Sequence, residues 1–354
     1  MSAVRADRLA EAVGERGLDA LIVTSPFDVR WLTGFTGTNG ACLVTPDDRL
    51  LLTDFRYVEQ AQGQVASFDV VRAGRDLIGD VAGRLPHGQV GFDDVDVSVR
   101  AHGHLAERAA TGVELVPAGG LVERLRAIKD AGEQRRIAAA ADLATGAFER
   151  VLEDGLAGRT ERAVALDLEH RMRLAGAEDP SFPSIVAHGD HGALPHAEPR
   201  DVEIPAGTLV TVDWGARLDG YCSDCTRTVA TGEVGERERS VHELVLRAQR
   251  AALAAVAPGA GCAAVDAVAR QIIEDAGYGE RFGHGLGHGV GLEVHEAPRL
   301  AKGADGTLEE GNVVTVEPGV YLPGELGVRI EDLAVVTGAG ARVLTSFVKD
   351  PIVV

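Results

Sequence analysis

The sequence is short of cysteine, of long apolar runs and of basic charge. It has four cysteines, Cys42, Cys222, Cys225 and Cys262, in 354 residues. Cys222 and Cys225 form one C-x-x-C inside a strand-like run. No second pair completes an all-cysteine zinc site, so the four read as buried thiols of a reducing cytoplasm. No apolar stretch approaches the ~18 residues that span a bilayer. The N-terminus, MSAVRADRLAEAVGERG, is charged and amphipathic and lacks the apolar core of a signal peptide. A cytoplasmic location with no membrane partner is therefore expected. The balance of 35 Lys+Arg against 54 Asp+Glu leaves a formal net charge of −19. That charge offers no basic face to nucleic acid or to an anionic membrane, so neither is expected as a partner.

What is present suits a folded protein of about two domains: 45% of the residues are hydrophobic, enough for a substantial core. The first part alternates helix and strand signals. Residues 3–16 read as a helix. Strand-like runs follow at Ala20–Thr24, Cys42–Thr45, Leu50–Thr53, Val70–Val71, Val90–Phe92 and Val113–Val116. This predicts a small α/β domain over residues 1–124. The character changes around RLRAIKDAGEQ, residues 124–134. A long helix follows, with Ile137, Ala141, Ala144, Phe148 and Val151 on one face. A second helix is capped by Thr160 and stopped by Gly176. Two more carry apolar faces at Val241, Leu244, Val245, Ala248 and Ala252, and at Val265, Val268, Ala269 and Ile272. Strands and turns make up the rest, so residues 125–354 read as an α+β domain.

One stretch stands apart. FGHGLGHGVGLEVHEAP, residues 282–298, sets His284, His288 and His295 among five glycines. That glycine density opposes a helix. The zinc-protease pattern H-E-x-x-H is absent, because Arg299 stands where its second histidine would fall. There is also no G-x-G-x-x-G register for a dinucleotide. The stretch gains meaning from carboxylates elsewhere.

Two segments read as hairpins. Leu209–Trp214 and Tyr221–Val229 flank the turn signal Asp219-Gly220, and folding about residues 218–219 sets Asp213 opposite Asp224. Val313–Glu317 and Val328–Val336 flank Pro323-Gly324, and folding about residue 324 sets Glu317 opposite Glu331. Directly opposed like charges about 5 Å apart repel by about 3 kcal/mol at an effective dielectric near 20. Two such pairs among apolar strand residues call for compensation: a shared proton would serve one pair, and a cation would serve both. Four carboxylates and one imidazole suit two divalent metals. The oxygen-rich set favours Mn²⁺, with Co²⁺, Fe²⁺ and Zn²⁺ as alternatives. Paired ions lower the pKa of a water held between them. The plain alternative is that each acid is simply solvated beside its turn.

At these residues the sequence resembles the pita-bread metallopeptidases, in the Xaa-Pro dipeptidase (prolidase) and aminopeptidase P branch. The matching blocks are FPSIVAHGDHGALPH at 182–196, VDWGA at 212–216, SDCTRT at 223–228, GHGLGHGVGLEVHE at 283–296, VEPGVY at 316–321 and RIED at 329–332. WLTGFTGTNG at 31–40 and LLTDFRY at 51–57 resemble that branch's extra N-terminal domain. The resemblance implies a C-terminal pita-bread domain after a smaller creatinase-like α/β domain, the latter serving dimerisation and substrate access in a homodimer. It implies five metal ligands, Asp213, Asp224, His288, Glu317 and Glu331, with Asp224 and Glu331 shared by both ions. Glu317 is then the proton acceptor, and His295 steadies the developing charge on the scissile carbonyl. His196, His284, Tyr321 and Arg329 shape the substrate pocket, with His196 close to the chemistry. Arg299 stands where family dipeptidases can carry an arginine for the substrate carboxylate. Several of these have plain readings too: His284 as a core imidazole, His196 and Arg299 as surface groups, Tyr321 as packing, Arg329 as a partner of Glu331 or Asp332. His188 and His191 fall in a loop and are assigned no chemistry. Hydrolysis of Xaa-Pro dipeptides is the expected activity. Aminopeptidase P on longer peptides, a methionine aminopeptidase-like enzyme and a metal-free binding module are the alternatives.

Overall fold

The computed structural model describes residues 2–350 and residue 353. The chain divides into two compact units between Arg126 and Ala127. The N-terminal unit is built on a six-stranded mixed sheet. Its strands lie in the order Asp69–Arg72, Arg49–Thr53, Gly40–Val44, Ala20–Val23, Gly88–Phe92 and Val113–Pro117. Ala20, Ile22, Leu43, Leu52, Val90 and Phe92 bury one face in a common core. Each strand falls on an apolar run read from the sequence, and the first helix, Ser2–Glu15, is the expected one.

The C-terminal unit repeats one order of elements. A helix pair, Ala131–Glu153 and Glu161–Leu174, precedes a three-stranded antiparallel sheet of Ile185–His188, Leu209–Trp214 and Cys225–Ala230. A second pair, Glu236–Ala255 and Cys262–Asp275, precedes a five-stranded antiparallel sheet that includes Gly287–Gly289, Glu296–Leu300, Val313–Val316 and Asp332–Thr337. Each half has its own core. In the first, Phe148 lies 4.2 Å from Trp214, ring to ring, and the buried Trp214 indole N–H donates to Ala144 O at 3.0 Å. In the second, Val241, Val245, Ala248 and Ala252 meet Val265, Ala269 and Ile273. These are the helix faces that the 3.6-residue period picks out, except that Ile273 is buried where Ile272 was expected. Asp130 caps the first helix through a capping box with Glu133, and Thr160 caps the second, their side-chain oxygens accepting from backbone N–H groups that the helix leaves open.

The first hairpin differs from the sequence expectation. Its turn consists of Asp219 and Gly220 alone, with φ of 50° and 82°. Two consecutive left-handed residues make the tight turn that matches strand twist, and Asp-Gly is suited to it. The hairpin axis therefore lies between 219 and 220. Asp213 pairs with Thr226, and Asp224 falls outside the paired strand, two residues earlier. The strand read as Tyr221–Val229 is broken into Tyr221–Cys222 and Cys225–Ala230. In the second hairpin the axis is the expected one. Val316 pairs with Asp332 and Gly319 with Arg329, so Glu317 and Glu331 face each other across the same register. Both glutamates sit where the ladder is interrupted. The strands end at Val316 and resume at Gly319 on one side, and end at Arg329 and resume at Asp332 on the other.

Candidate metal centre

The interruptions in the two hairpins are what bring the acids together. Asp213 is the last residue but one of its strand, Asp224 occupies the break in the neighbouring strand, and Glu331 occupies the break in the second hairpin. One carboxylate oxygen of each lies within 4.8 Å of the others. Thr226, opposite Asp213, ties the two hairpins. Its backbone O accepts from Glu331 N at 3.1 Å, and its hydroxyl donates to Glu331 Oε2 at 2.8 Å.

The glycine stretch brings His288. Gly287–Gly289 forms a short strand between Glu296–Leu300 and Val313–Val316. A Cβ on Gly287 would stand 2.1 Å from Thr315 O, and one on Gly289 2.1 Å from Ala297 O. The glycines therefore serve close backbone approach on both sides of His288. Helix Cys262–Asp275 holds the stretch from behind. Asp266 accepts from Leu286 N at 3.0 Å and pairs with Arg270, whose guanidinium donates to Phe282 O and His284 O, each at 2.9 Å. His288 Nδ1 donates to Gly289 O at 3.1 Å, which turns Nε2 toward the acids. Nε2 lies 3.2 Å from Glu317 Oε1 and 3.7 Å from Asp224 Oδ2.

The electrostatics of the cluster are uneven. Burial, then the charges of Glu331, Asp213 and Glu317, push the Asp224 carboxyl well above its usual range. Burial, then Glu317 and Asp213, do the same to Glu331. Asp213 is raised by burial, and the Arg329 guanidinium opposes the rise. Glu317 goes the other way. Burial raises it, but the hydrogen bond and charge of His288 outweigh that and hold it below the usual range. Among the described residues, Asp213 Oδ1 and Glu331 Oε1 are buried with no hydrogen-bond partner. Buried acceptors are rarely left so, and together with Asp224, Glu317 and His288 Nε2 they form a donor set that fits divalent cations.

Around this cluster the other expected site residues fall at different depths. Arg329 is 3% exposed. Its guanidinium donates to Asp213 Oδ2 at 2.7 Å, Thr226 Oγ1 at 3.1 Å, Tyr321 OH at 2.9 Å and Pro195 O at 3.1 Å. Four of its five N–H groups are thus spent within the protein, and its acidic partner is Asp213 rather than Glu331 or Asp332. Tyr321 is buried and its OH lies 2.9 Å from His284 Nε2. His295 and His196 are exposed. The His295 ring lies 4.4 Å from that of His288, edge to face. Partial desolvation of its ring, then the charge of His288, hold His295 below the usual imidazole range, so it is neutral near pH 7. His196 is close enough to influence both His284 and His295 electrostatically. Arg299 is exposed and pairs across the strands with His288, so their side chains share a sheet face. A buried ion pair, Lys129 Nζ to Glu296 Oε2 at 2.8 Å, anchors the segment that carries His295. Lys129 carried no sequence signal, because its partner is distant in the chain.

All four cysteines are free and buried. Among the described residues no helix is long and apolar enough to cross a membrane.

Residues 135–338 match Metallopeptidase family M24, and residues 5–128 match the Creatinase/Prolidase N-terminal domain. The chain belongs to metallopeptidase family M24, with the pita-bread fold that the sequence resemblance implied. An Xaa-Pro dipeptidase from Bacillus anthracis superposes with a TM-score of 0.96 at 39% identity, covering 100% of both chains. An X-Pro aminopeptidase from Thermotoga maritima gives a TM-score of 0.89 at 36% identity, over 96% of this chain and 99% of that one. The curated Xaa-Pro dipeptidase of Pyrococcus furiosus is 34% identical over 96% of this chain and 97% of its own length.

Proposed function

We propose that the protein is a metal-dependent peptidase that hydrolyses the Xaa-Pro bond of dipeptides. The observation that carries this reading is the buried cluster of Asp213, Asp224, Glu317, Glu331 and His288, with two acceptor oxygens unpaired. These five residues would hold two divalent ions, with Mn²⁺ favoured by the oxygen-rich set. Asp224 and Glu331 would be shared between the ions, Asp213 would complete one site, and His288 with Glu317 would complete the other. The closeness of His288 to Glu317 and Asp224, and the restraint of Asp213 by Arg329 on the other side, support that division. When bound, the ions lower the pKa of a water and polarise the carbonyl before proline.

The protein's own groups do the rest. Glu317, beside the place of the attacking water, takes its proton and passes it to the departing proline nitrogen. His295, neutral at pH 7, donates a hydrogen bond to the carbonyl oxygen as negative charge develops there. His196, His284 and Tyr321 wall the pocket. Arg329 acts by fixing Asp213 and Tyr321. Arg299 projects on the His288 face and binds the free carboxylate of a dipeptide. We assign dimerisation and substrate access in a cytoplasmic homodimer to the N-terminal unit, an assignment supported by its match to the family's N-terminal domain.

The Thermotoga relative keeps one second reading open, an aminopeptidase acting on longer Xaa-Pro peptides. Comparing Ala-Pro with Ala-Pro-Ala separates the two. The dipeptidase reading predicts cleavage of Ala-Pro at least about 100-fold faster in kcat/KM, and a rise in KM for Ala-Pro in Arg299→Ala, as expected for loss of a charge-assisted bond worth about 1.5–3 kcal/mol. Equal or faster cleavage of the tripeptide would favour the aminopeptidase.

A further inference from the structure

We propose that Glu161 is a positioning residue for hydrolysis, acting through the segment His188–Arg200 that carries His196. The inference rests on His196 facing the substrate, as in the function proposed above. Glu161 is the first residue of the helix Glu161–Leu174 and is 0% exposed. Its carboxylate grips both ends of the segment. Oε1 accepts from His188 N at 3.0 Å, and Oε2 accepts from Arg200 N at 2.9 Å. The side chains close around it. His191 Nδ1 lies 3.0 Å from Oε2, His188 Nδ1 lies 2.8 Å from Oε1, and Arg200 donates through Nε at 3.2 Å and Nη2 at 3.3 Å.

The middle of the segment is held from the metal side. Arg329 Nη1 donates to Pro195 O, one residue before His196, while its Nη2 holds Asp213. A Cβ on Gly327 would stand 1.7 Å from Gly192 O, so backbone lies directly on backbone there. Among the described residues no hydrogen bond holds the His196 ring itself, so its placement follows its backbone. Glu161 holds both ends of that backbone and Arg329 holds it between them. Burying a carboxylate costs several kcal/mol unless its acceptor sites are filled, and here one side chain fills them from positions twelve residues apart in sequence. Burial raises the Glu161 carboxyl, but hydrogen bonds from Arg200, His188 and His191 more than offset this, and the helix N-terminus also favours the anion.

A double-mutant cycle on the metal-loaded enzyme tests this, with Ala-Pro as substrate and metal content measured in each variant. Glu161→Gln is expected to lower kcat/KM about tenfold with metal content unchanged, as a small misplacement of a reacting group does. In a His196→Ala background the same change is expected to cost less than about twofold, because the group it positions is already gone. Equal losses in both backgrounds overturn the inference, and so does a loss of activity that simply follows loss of metal. If His196→Ala alone leaves kcat/KM unchanged, the reading of His196 falls, and the inference with it. Should Glu161→Gln not fold, Arg200→Met loosens the same grip from its partly exposed end and enters the same cycle.

Discussion

Asp224 and Glu331 are held without their ions at a cost that grows with pH. Both carboxyls are raised above their ordinary values by burial and by neighbouring acids. An acid whose native value is raised binds more protons folded than unfolded, so stability falls as pH rises from the ordinary carboxylate value toward the raised one. The penalty is absent below that window and complete above it. In metal-free protein, Asp224→Asn is therefore expected to raise stability at pH 7 by about 1–3 kcal/mol, with the gain shrinking toward pH 4. Thermal unfolding of both metal-free proteins across that range checks it. An Asn variant less stable than the parent at pH 7 would contradict it. The same variant should bind divalent ions poorly, since a shared ligand is gone. At this scale the sequence named the acids and the imidazole, but not what surrounds them. Thr226, Glu161, Asp266 and Lys129 touch the site or its supports through partners far away in the chain, and no local period marks such contacts.

The glycine stretch shows what an element contributes beyond its ligand. Gly287 and Gly289 have neighbouring carbonyls where a Cβ would stand, whereas Gly283, in the same stretch, has nothing within 4 Å. Gly289→Ala is expected to cost about 2–4 kcal/mol and to weaken metal binding by displacing His288. Gly283→Ala should change stability by no more than about 0.5 kcal/mol. Denaturant melts of the two variants check the contrast, and similar costs would refute the close-approach argument. Helices and strands were legible because their apolar faces repeat, as Ile137, Ala141, Ala144, Phe148 and Val151 do. Hairpin register was legible only where the turn was read correctly. Folding about Pro323-Gly324 gave the facing of Glu317 and Glu331. Placing the first axis one residue early put Asp224 opposite Asp213, where Thr226 in fact stands. A two-residue Asp-Gly turn fixes its own centre, and an error of one residue there moves the partner by two.

In the C-terminal unit, the two helix-pair-and-sheet halves each give acids to one cluster. Asp213 and Asp224 come from the first sheet and its broken strand, and Glu317 and Glu331 from the breaks in the second hairpin. That sharing was legible as chemistry, since facing acids among apolar strand residues call for compensation, but the repeated helix–helix–sheet order was not. It is carried by backbone topology and leaves no repeat in the residues themselves. Ions bound at the seam should stabilise both halves together, by about 2.7 kcal/mol at a free concentration 100 times Kd. The most direct test of the whole reading is metal quantitation coupled to turnover of Ala-Pro. About two divalent ions per chain are expected, with hydrolysis abolished by a chelator, restored by Mn²⁺, and absent in Asp213→Asn. Full turnover by protein that holds no stoichiometric divalent ion would contradict it.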